Sequence, residues 1–264
     1  MKVLIAANYD VGLYQFRKEL IESLLQDHQV TISLPYGSLV EPLQQEGCVF
    51  VDTPVDRRGI NPLRDMGLFL KYFKLMGKER PDLVITYTIK PNIYASLACR
   101  MRGIPYGVNI TGLGTAFQKQ GILRKFVTKL YRMALKKARV IFFENSANRQ
   151  LFIDEKIVPA SKTVLLNGAG VNLEHYSLAP YPKANSVRFL FVGRVMKEKG
   201  IDELFAAMER LHREGADCTL DVLGGYEEDY ADTIRRYEAD GWLCYHGFQV
   251  DVRPFIERAH CFVL

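Results

Sequence analysis

Hydrophobic and polar positions in this chain follow two patterns that take turns. Short apolar runs read as buried strands, and longer stretches with apolar residues three or four apart read as helices. The strands expected in the first part are Lys2–Ala7, Gln29–Leu34, Cys48–Val51, Leu83–Ile85, Tyr106–Ile110, Val140–Phe143 and Thr163–Leu166. Between them lie helices at Leu13–Leu25 (Leu13, Phe16, Leu20, Leu24), Leu39–Gly47, Leu63–Lys78 (Met66, Phe69, Leu70, Phe73, Met76), Ile93–Met101, Ile122–Leu135 and Ala147–Asp154. Strict alternation of strand and helix predicts a parallel sheet covered on both faces.

The pattern fades from Asn167 to Ser186, where glycines, Pro180 and Pro182 mark a boundary. It then resumes. Strands are expected at Phe189–Val192, Thr219–Leu223 and Leu243–His246, helices at Asp202–Leu211, Tyr230–Ala239 and Val252–Arg258, and a closing apolar run at Cys261–Leu264. The fold class is therefore α/β, with two Rossmann-like doubly wound domains. The expected boundaries are 1–170, a linker at 171–186, and 187–264. The last run has no turn, cap or polar tail after it, so the second domain is expected to be incomplete.

Bulk composition narrows the class. The chain has 264 residues, 48% hydrophobic and 25% charged, which is ordinary for a globular protein. No apolar run is long enough to cross a bilayer, and the opening MKVLIAANYD is too short for a signal peptide. The five cysteines are scattered without metal-ligand spacing, which fits inert thiols in a reducing cytoplasm. Net charge is a mild +5, but from Ala116 to Phe143 there are eight Lys or Arg and no Asp or Glu. In the helix there, Ile122, Leu123, Phe126, Val127, Leu130, Ala134 and Leu135 form one stripe, and Lys125, Lys129, Arg132 and Lys136 a second. With Lys119, Arg124, Lys137 and Arg139, residues 119–139 suit an anionic membrane surface, or a solvated face over an inward-packed stripe. Phe126 and Tyr131 are too few aromatics for nucleic acid.

Candidate chemistry centres on VRFLFVGRVMKEKG, Val187–Gly200. A strand ends at Gly193, where the backbone is open to close approach; Arg194 follows, then Lys199 and a helix start. A guanidinium fork, an ammonium and a helix N-terminus together suit a diphosphate; two solvated cations on an ordinary turn are the alternative. Arg57 and Arg58 lie in a Gly/Asn/Pro loop that suits either a phosphate or a solvated turn. Lys90 and Asn92 fall in the expected loop Thr86–Asn92 at a strand's carboxyl end, the edge that carries ligands in open α/β sheets. Thr111-Gly112-Leu113-Gly114 also follows a strand, but Phe117 stands where a dinucleotide fingerprint needs its third glycine, and a basic run replaces the acidic residue further on. Gly12 follows the first strand without such a fingerprint. His246 reads as a satisfied strand-end histidine.

G-R-x-x-x-x-K-G after a hydrophobic strand resembles the donor-diphosphate signature of retaining glycosyltransferases of family 4, which have the two-domain GT-B fold. The segment Asn167–Asn172, NGAGVN, is similar to that family's interdomain hinge. The resemblance implies that Arg194 and Lys199 grip the diphosphate of a nucleotide-sugar, here a UDP-sugar. It implies that Gly12 lets the backbone approach the donor, although Val11-Gly12 stands where the family often has two glycines. Gly224-Gly225 and Gly247-Phe248 would line the base and ribose pocket. Arg57, Arg58, Lys90, Asn92, Thr111 and Gly112 would lie on the acceptor side, in the first domain. Many relatives carry a His where this chain has Asn109, Thr111 and Gly112, and Thr111 is the candidate for its catalytic part. Two family glutamates eight apart would lie past Leu264, so the chain reads as an N-terminal portion, inactive alone.

The implied reaction is sugar transfer with retention to a polyprenyl-diphosphate-linked or other glycan acceptor in bacterial surface polysaccharide synthesis. It would run in the cytoplasm, with the protein peripheral on the inner face of the membrane. No cofactor or metal is expected: the nucleotide-sugar is a substrate, no Asp-x-Asp motif is present, and two cations already sit at the diphosphate. Two alternatives remain open at this point, a nucleotide-sugar epimerase of the same fold and a non-catalytic membrane-docking remnant.

Overall fold

The computed structural model describes residues 1–56, 61–114, 117, 121–183 and 186–264. Arg57, Arg58 and Lys119 lie outside the described residues. The chain divides into two units, Met1–Gly170 and Val171–Leu264.

Unit 1 begins β1 (Lys2–Ala6), α1 (Asp10–Leu25), β2 (Gln29–Leu34), α2 (Val40–Gln45), β3 (Val49–Asp52), α3 (Pro62–Glu79) and β4 (Leu83–Tyr87). It continues with α4 (Ile89–Arg102), β5 (Tyr106–Ile110), α5 (Ile122–Leu135), β6 (Val140–Phe143), α6 (Ser146–Asp154) and β7 (Thr163–Leu165). The strands form one parallel sheet in the order β3-β2-β1-β4-β5-β6-β7. β1 is buried on both faces, as a central parallel strand requires. Val3, Ile5 and Ala7 pack with Leu13 and Ile21 of α1 and with Val40 and Leu43 of α2. Leu4 and Ala6 face a larger cluster that includes Tyr72 of α3, Ile93 of α4, Tyr131 of α5 and Phe152 of α6.

Unit 2 contains β8 (Val187–Val192), α7 (Ile201–Arg213), β9 (Cys218–Leu223), α8 (Ala231–Ala239), β10 (Leu243–Gly247), α9 (Arg253–Arg258) and β11 (Cys261–Val263). Its parallel sheet runs β10-β9-β8-β11. Phe191, Leu220, Val222 and Leu243 pack with Ile201, Phe205 and Met208 of α7 and with Ile234 and Tyr237 of α8. The two α/β units with parallel sheets are the fold class expected from the sequence.

Several local expectations are corrected. α1 starts at Asp10, so Gly12 lies in its first turn and not in a loop. The buried Asp10 carboxylate accepts the Leu39 N–H at 2.9 Å and favours the positive end of the helix. α4 starts at Ile89, which places Lys90, Pro91 and Asn92 in its first turn; proline is tolerated there because the missing N–H has no intrahelical partner. Three helices are rotated from the expected face. α1 buries Leu13 and Ile21 and exposes Phe16 and Leu20. α3 buries Leu68, Tyr72, Leu75 and Met76 and exposes Met66 and Leu70. α5 buries Val127, Thr128, Tyr131, Ala134 and Leu135 and exposes Ile122, Leu123 and Phe126. Of the five free cysteines, Cys48, Cys99 and Cys218 are buried, whereas Cys244 and Cys261 are exposed. Burial pushes the Cys48 thiol up to about 11 and Cys99 up to about 12, so both stay protonated at neutral pH.

Candidate functional site

In an open parallel sheet the order of strands reverses beside the first strand, and the crevice at the carboxyl ends there is where ligands bind. In unit 2 that strand is β8, flanked by β9 and β11. Gly193 and Arg194 follow it directly. The turns after β8, β9 and β10 are joined by backbone hydrogen bonds. Gly193 N–H donates to Leu223 O at 2.9 Å, Val195 N–H to Gly225 O at 3.0 Å, and Gly224 N–H to Gly247 O at 2.8 Å. Gly224 is obligatory: its φ is +140°, and a Cβ there would lie 1.8 Å from the Gly193 carbonyl oxygen.

Arg194, Gly224, Gly225 and Phe248 therefore share one rim. The Arg194 side chain is 46% exposed, and Phe248 is likewise exposed. Between Arg194 and Lys199 the loop is anchored by Val195 and Met196, both buried, Val195 in the core cluster with Ile201, Phe205 and Met208 of α7. Lys199 closes a short 3-10 turn, Lys197–Lys199, with Gly200 in the left-handed region at φ +72°. Lys199 itself is exposed. α7 carries Asp202 and Glu203 in its first turn, so its own carboxylates sit at the positive end of the helix. Asp202 also accepts the Tyr230 hydroxyl at 2.7 Å.

Two residues at this rim were missed in the sequence. Glu227 Oε1 lies 3.5 Å from Arg194 Nη1, and Glu228 Oε2 accepts the Lys197 N–H at 2.8 Å. The adjacent Tyr226 ring lies 4.6 Å from the Tyr245 ring, centroid to centroid, and burial pushes its hydroxyl up to about 12. The only sequence signal for either glutamate was its place just after Gly224-Gly225.

In unit 1 the strand order reverses at β1, between β2 and β4. Gly12 lies in the first turn of α1, the helix that follows β1, and a Cβ there would meet nothing within 4 Å. Thr88, between β4 and α4, has φ +68° and ψ 160°, a conformation nearly reserved for glycine and a local strain of about 1–3 kcal/mol. Thr111 is exposed and Gly112 partly buried in the loop after β5. Lys90 and Asn92 instead face the protein interior. Lys90 Nζ lies 2.7 Å from Asp65 Oδ1, with the two side chains 13% and 7% exposed. Asn92 is buried and donates from Nδ2 to Asn109 O at 2.9 Å. A second inward pair, Arg17 of α1 with Glu144 after β6, packs the guanidinium over the Tyr87 ring.

Asp221, Cys244 and His246 bring their ligand atoms within 4.8 Å of one another on β9 and β10. Asp221 already faces His246 at 2.6 Å, Arg258 at 3.3 Å and Arg188 at 3.9 Å. Two guanidinium groups at the one carboxylate oppose a metal cation there. His246 is thus satisfied by Asp221, as a strand-end histidine.

The glycosyl transferase 4-like family model matches residues 2–145, and the glycosyl transferases group 1 model matches residues 186–264. The chain belongs to the glycosyl transferase 4-like family. It is 29% identical over 194 residues to an Escherichia coli UDP-Gal:alpha-D-GlcNAc-diphosphoundecaprenol alpha-1,3-galactosyltransferase, covering 67% of this chain and 49% of that protein. The chain spans about half the length of that curated relative. Its fold is similar to that of Anabaena HepE in complex with UDP and glucose, with a TM-score of 0.75 at 17% identity over 99% of this chain and 73% of that one. Sucrose-phosphate synthase of Thermosynechococcus elongatus shares the fold with a TM-score of 0.69 at 14% identity, over 99% of this chain and 75% of that one. At such identities the likeness establishes the fold alone.

Proposed function

We propose that this glycosyl transferase 4-like protein moves a sugar, with retention, from a UDP-sugar to a polyprenyl-diphosphate-linked glycan in surface polysaccharide synthesis. Unit 2 binds the donor, and unit 1 provides the acceptor side, where Thr111 and Gly112 are presented by the loop after β5. The observation that carries the donor assignment is the exposed Arg194 at the tip of the first strand of unit 2, with Lys199 on the same buried-anchored loop. Further support comes from the E. coli relative, whose name specifies a UDP-sugar donor and a diphosphoundecaprenol-linked acceptor.

In the transfer, the bond between the sugar's anomeric carbon and the diphosphate oxygen breaks, and its electron pair leaves with UDP. The acceptor hydroxyl oxygen, on the face from which the diphosphate leaves, forms the new bond and gives its proton to the departing diphosphate oxygen. Arg194 and Lys199 offset the charge that grows on the departing diphosphate, which lowers the barrier electrostatically. With the Arg194 and Lys199 cations in that role, the reaction calls on no metal or cofactor.

A lipid-linked acceptor lies at a bilayer surface, and α5 provides a face for it. No helix among the described residues is long and apolar enough to cross a membrane. The exposed side of α5 instead mixes Ile122, Leu123, Phe126 and Met133 with Lys125, Lys129, Arg132 and Lys136. Such a face lies in the headgroup region of an anionic leaflet. In the proposal this is the inner face of the cytoplasmic membrane.

The test is calorimetry with UDP on the full-length protein, followed by a transfer assay. A charge-assisted contact contributes roughly 1.5–3 kcal/mol, so Arg194→Ala is expected to weaken UDP binding by about one to two orders of magnitude. Unchanged UDP affinity would remove the donor assignment. UDP binding without sugar transfer to a polyprenyl-diphosphate glycan would remove the acceptor assignment.

A further inference from the structure

In unit 2 the turn after β9 reads Gly224-Gly225-Tyr226-Glu227-Glu228, and both of its glutamates reach the loop that carries Arg194 and Lys199. Glu227 holds the Nη1 end of the Arg194 guanidinium at 3.5 Å, and its own side chain is only 22% exposed. Its backbone N–H donates to Val195 O at 3.1 Å, which fixes its position against that loop. Glu228 Oε2 accepts the N–H of Lys197, the first residue of the turn that ends in Lys199.

A carboxylate beside a diphosphate site repels the ligand, so its presence there needs a compensating role. Arginine is long and rotamer-rich, and holding it still in a ligand complex costs conformational entropy. A partner that holds it beforehand reduces that cost on binding. Because Glu227 engages Nη1, the Nε and Nη2 donors of the fork remain available to two oxygens of one anion.

We propose that Glu227 is a positioning residue for donor binding: it presents the Arg194 guanidinium to the diphosphate, while Glu228 fixes the turn beneath Lys199. This rests on the donor assignment above and acts through Arg194, not on the nucleoside.

The experiment compares UDP with uridine, which lacks the diphosphate, by calorimetry on the full-length protein. Glu227→Ala is expected to weaken UDP about five- to tenfold, the size of a single net polar contact, and to leave uridine affinity unchanged. Glu227→Gln keeps an oxygen that accepts from the guanidinium and is expected to stay within about twofold of the parent protein. In an Arg194→Ala background, Glu227→Ala should add no further loss. Should Glu227→Ala not fold, Glu227→Asp, shorter by one methylene, is expected to weaken UDP without moving the thermal midpoint. Unchanged or tighter UDP binding in Glu227→Ala would show a carboxylate that only repels, and an equal loss for uridine would show a turn that is merely structural. Either result overturns the inference. If Arg194→Ala itself leaves UDP affinity unchanged, the donor assignment falls and this inference with it.

Discussion

Lys90 Nζ lies 2.7 Å from Asp65 Oδ1, joining the first turn of α4 to the first turn of α3 with both side chains nearly enclosed. A cation at a helix N-terminus opposes the helix dipole, and the Asp65 carboxylate offsets it. Lys90 therefore acts in the fold of unit 1. Removing one member leaves the other charge buried without its partner, at a cost of about 3–5 kcal/mol. Lys90→Met is expected to lower the unfolding free energy measured by urea titration by that order, and adding Asp65→Leu to restore much of it. A Lys90→Met protein with parental stability would show that the pair contributes nothing.

Gly224→Ala places a Cβ where the Gly193 carbonyl oxygen stands, in a backbone conformation that side chains rarely adopt. The strain alone is about 1–3 kcal/mol, and the displaced turn carries Glu227 and Glu228. A lower unfolding temperature together with weaker UDP binding is the expected outcome. Gly225→Ala is the control for the unfolding temperature alone, since a Cβ there meets nothing within 4 Å.

The exposed face of α5 is expected to bind vesicles containing anionic lipid and to release them as salt rises, because juxtamembrane basic residues contribute about 1 kcal/mol each and are screened. Replacing Lys125, Lys129 and Lys136 by Glu should abolish co-sedimentation. Replacing Ile122 and Phe126 by Ser should weaken it even at low salt, since both side chains are exposed, Ile122 at 88%. Equal binding to neutral and anionic vesicles would contradict the role of the cations.

Arg253 grips Asp251 through two hydrogen bonds of 2.8 Å, from Nε and Nη2, and its Nη1 donates to the His175 carbonyl at 3.2 Å. These bonds, with that from the Arg253 N–H, hold the Asp251 carboxyl down at about 2. A depressed carboxylate contributes stability above its unfolded pKa, and the contribution is lost as pH falls through the folded value. The Arg253–Asp251 pair is therefore expected to persist at pH 4 and to be lost near pH 2. Carboxyl chemical shifts should titrate there, and Arg253→Ala should return Asp251 to the ordinary carboxylate range. An unchanged midpoint in that variant would assign the depression to another cause.

The places that were legible in the sequence share a physical property: their structure is decided by neighbours along the chain. Tyr106–Ile110 and Ile122–Leu135 were expected with the bounds they have, because an apolar run and a helical period are local signals. Arg194 and Lys199 stood out because Gly193 and Gly200 punctuate the loop around them. The rotation of α1, α3 and α5 was not legible. In α3, Met66, Phe69 and Leu70 fit a helical stripe as well as Leu68, Tyr72 and Leu75 do, and only the sheet beneath selects one.

The tertiary structure alone decided which polar residues meet. Lys90 is 25 positions from Asp65, and Arg194 is 33 from Glu227. Pro91 fell within the expected loop Thr86–Asn92, and it was the start of α4 at Ile89 that made the first helical turn its place. Periodicity depends on residues a few positions apart, whereas parallel pairing brings together strand ends separated by a whole crossover helix. The alternation of strand and helix was therefore written in the chain. The partners of Lys90 and Arg194 came from the order β10-β9-β8-β11 and its larger counterpart in unit 1, which set the carboxyl ends of distant strands side by side.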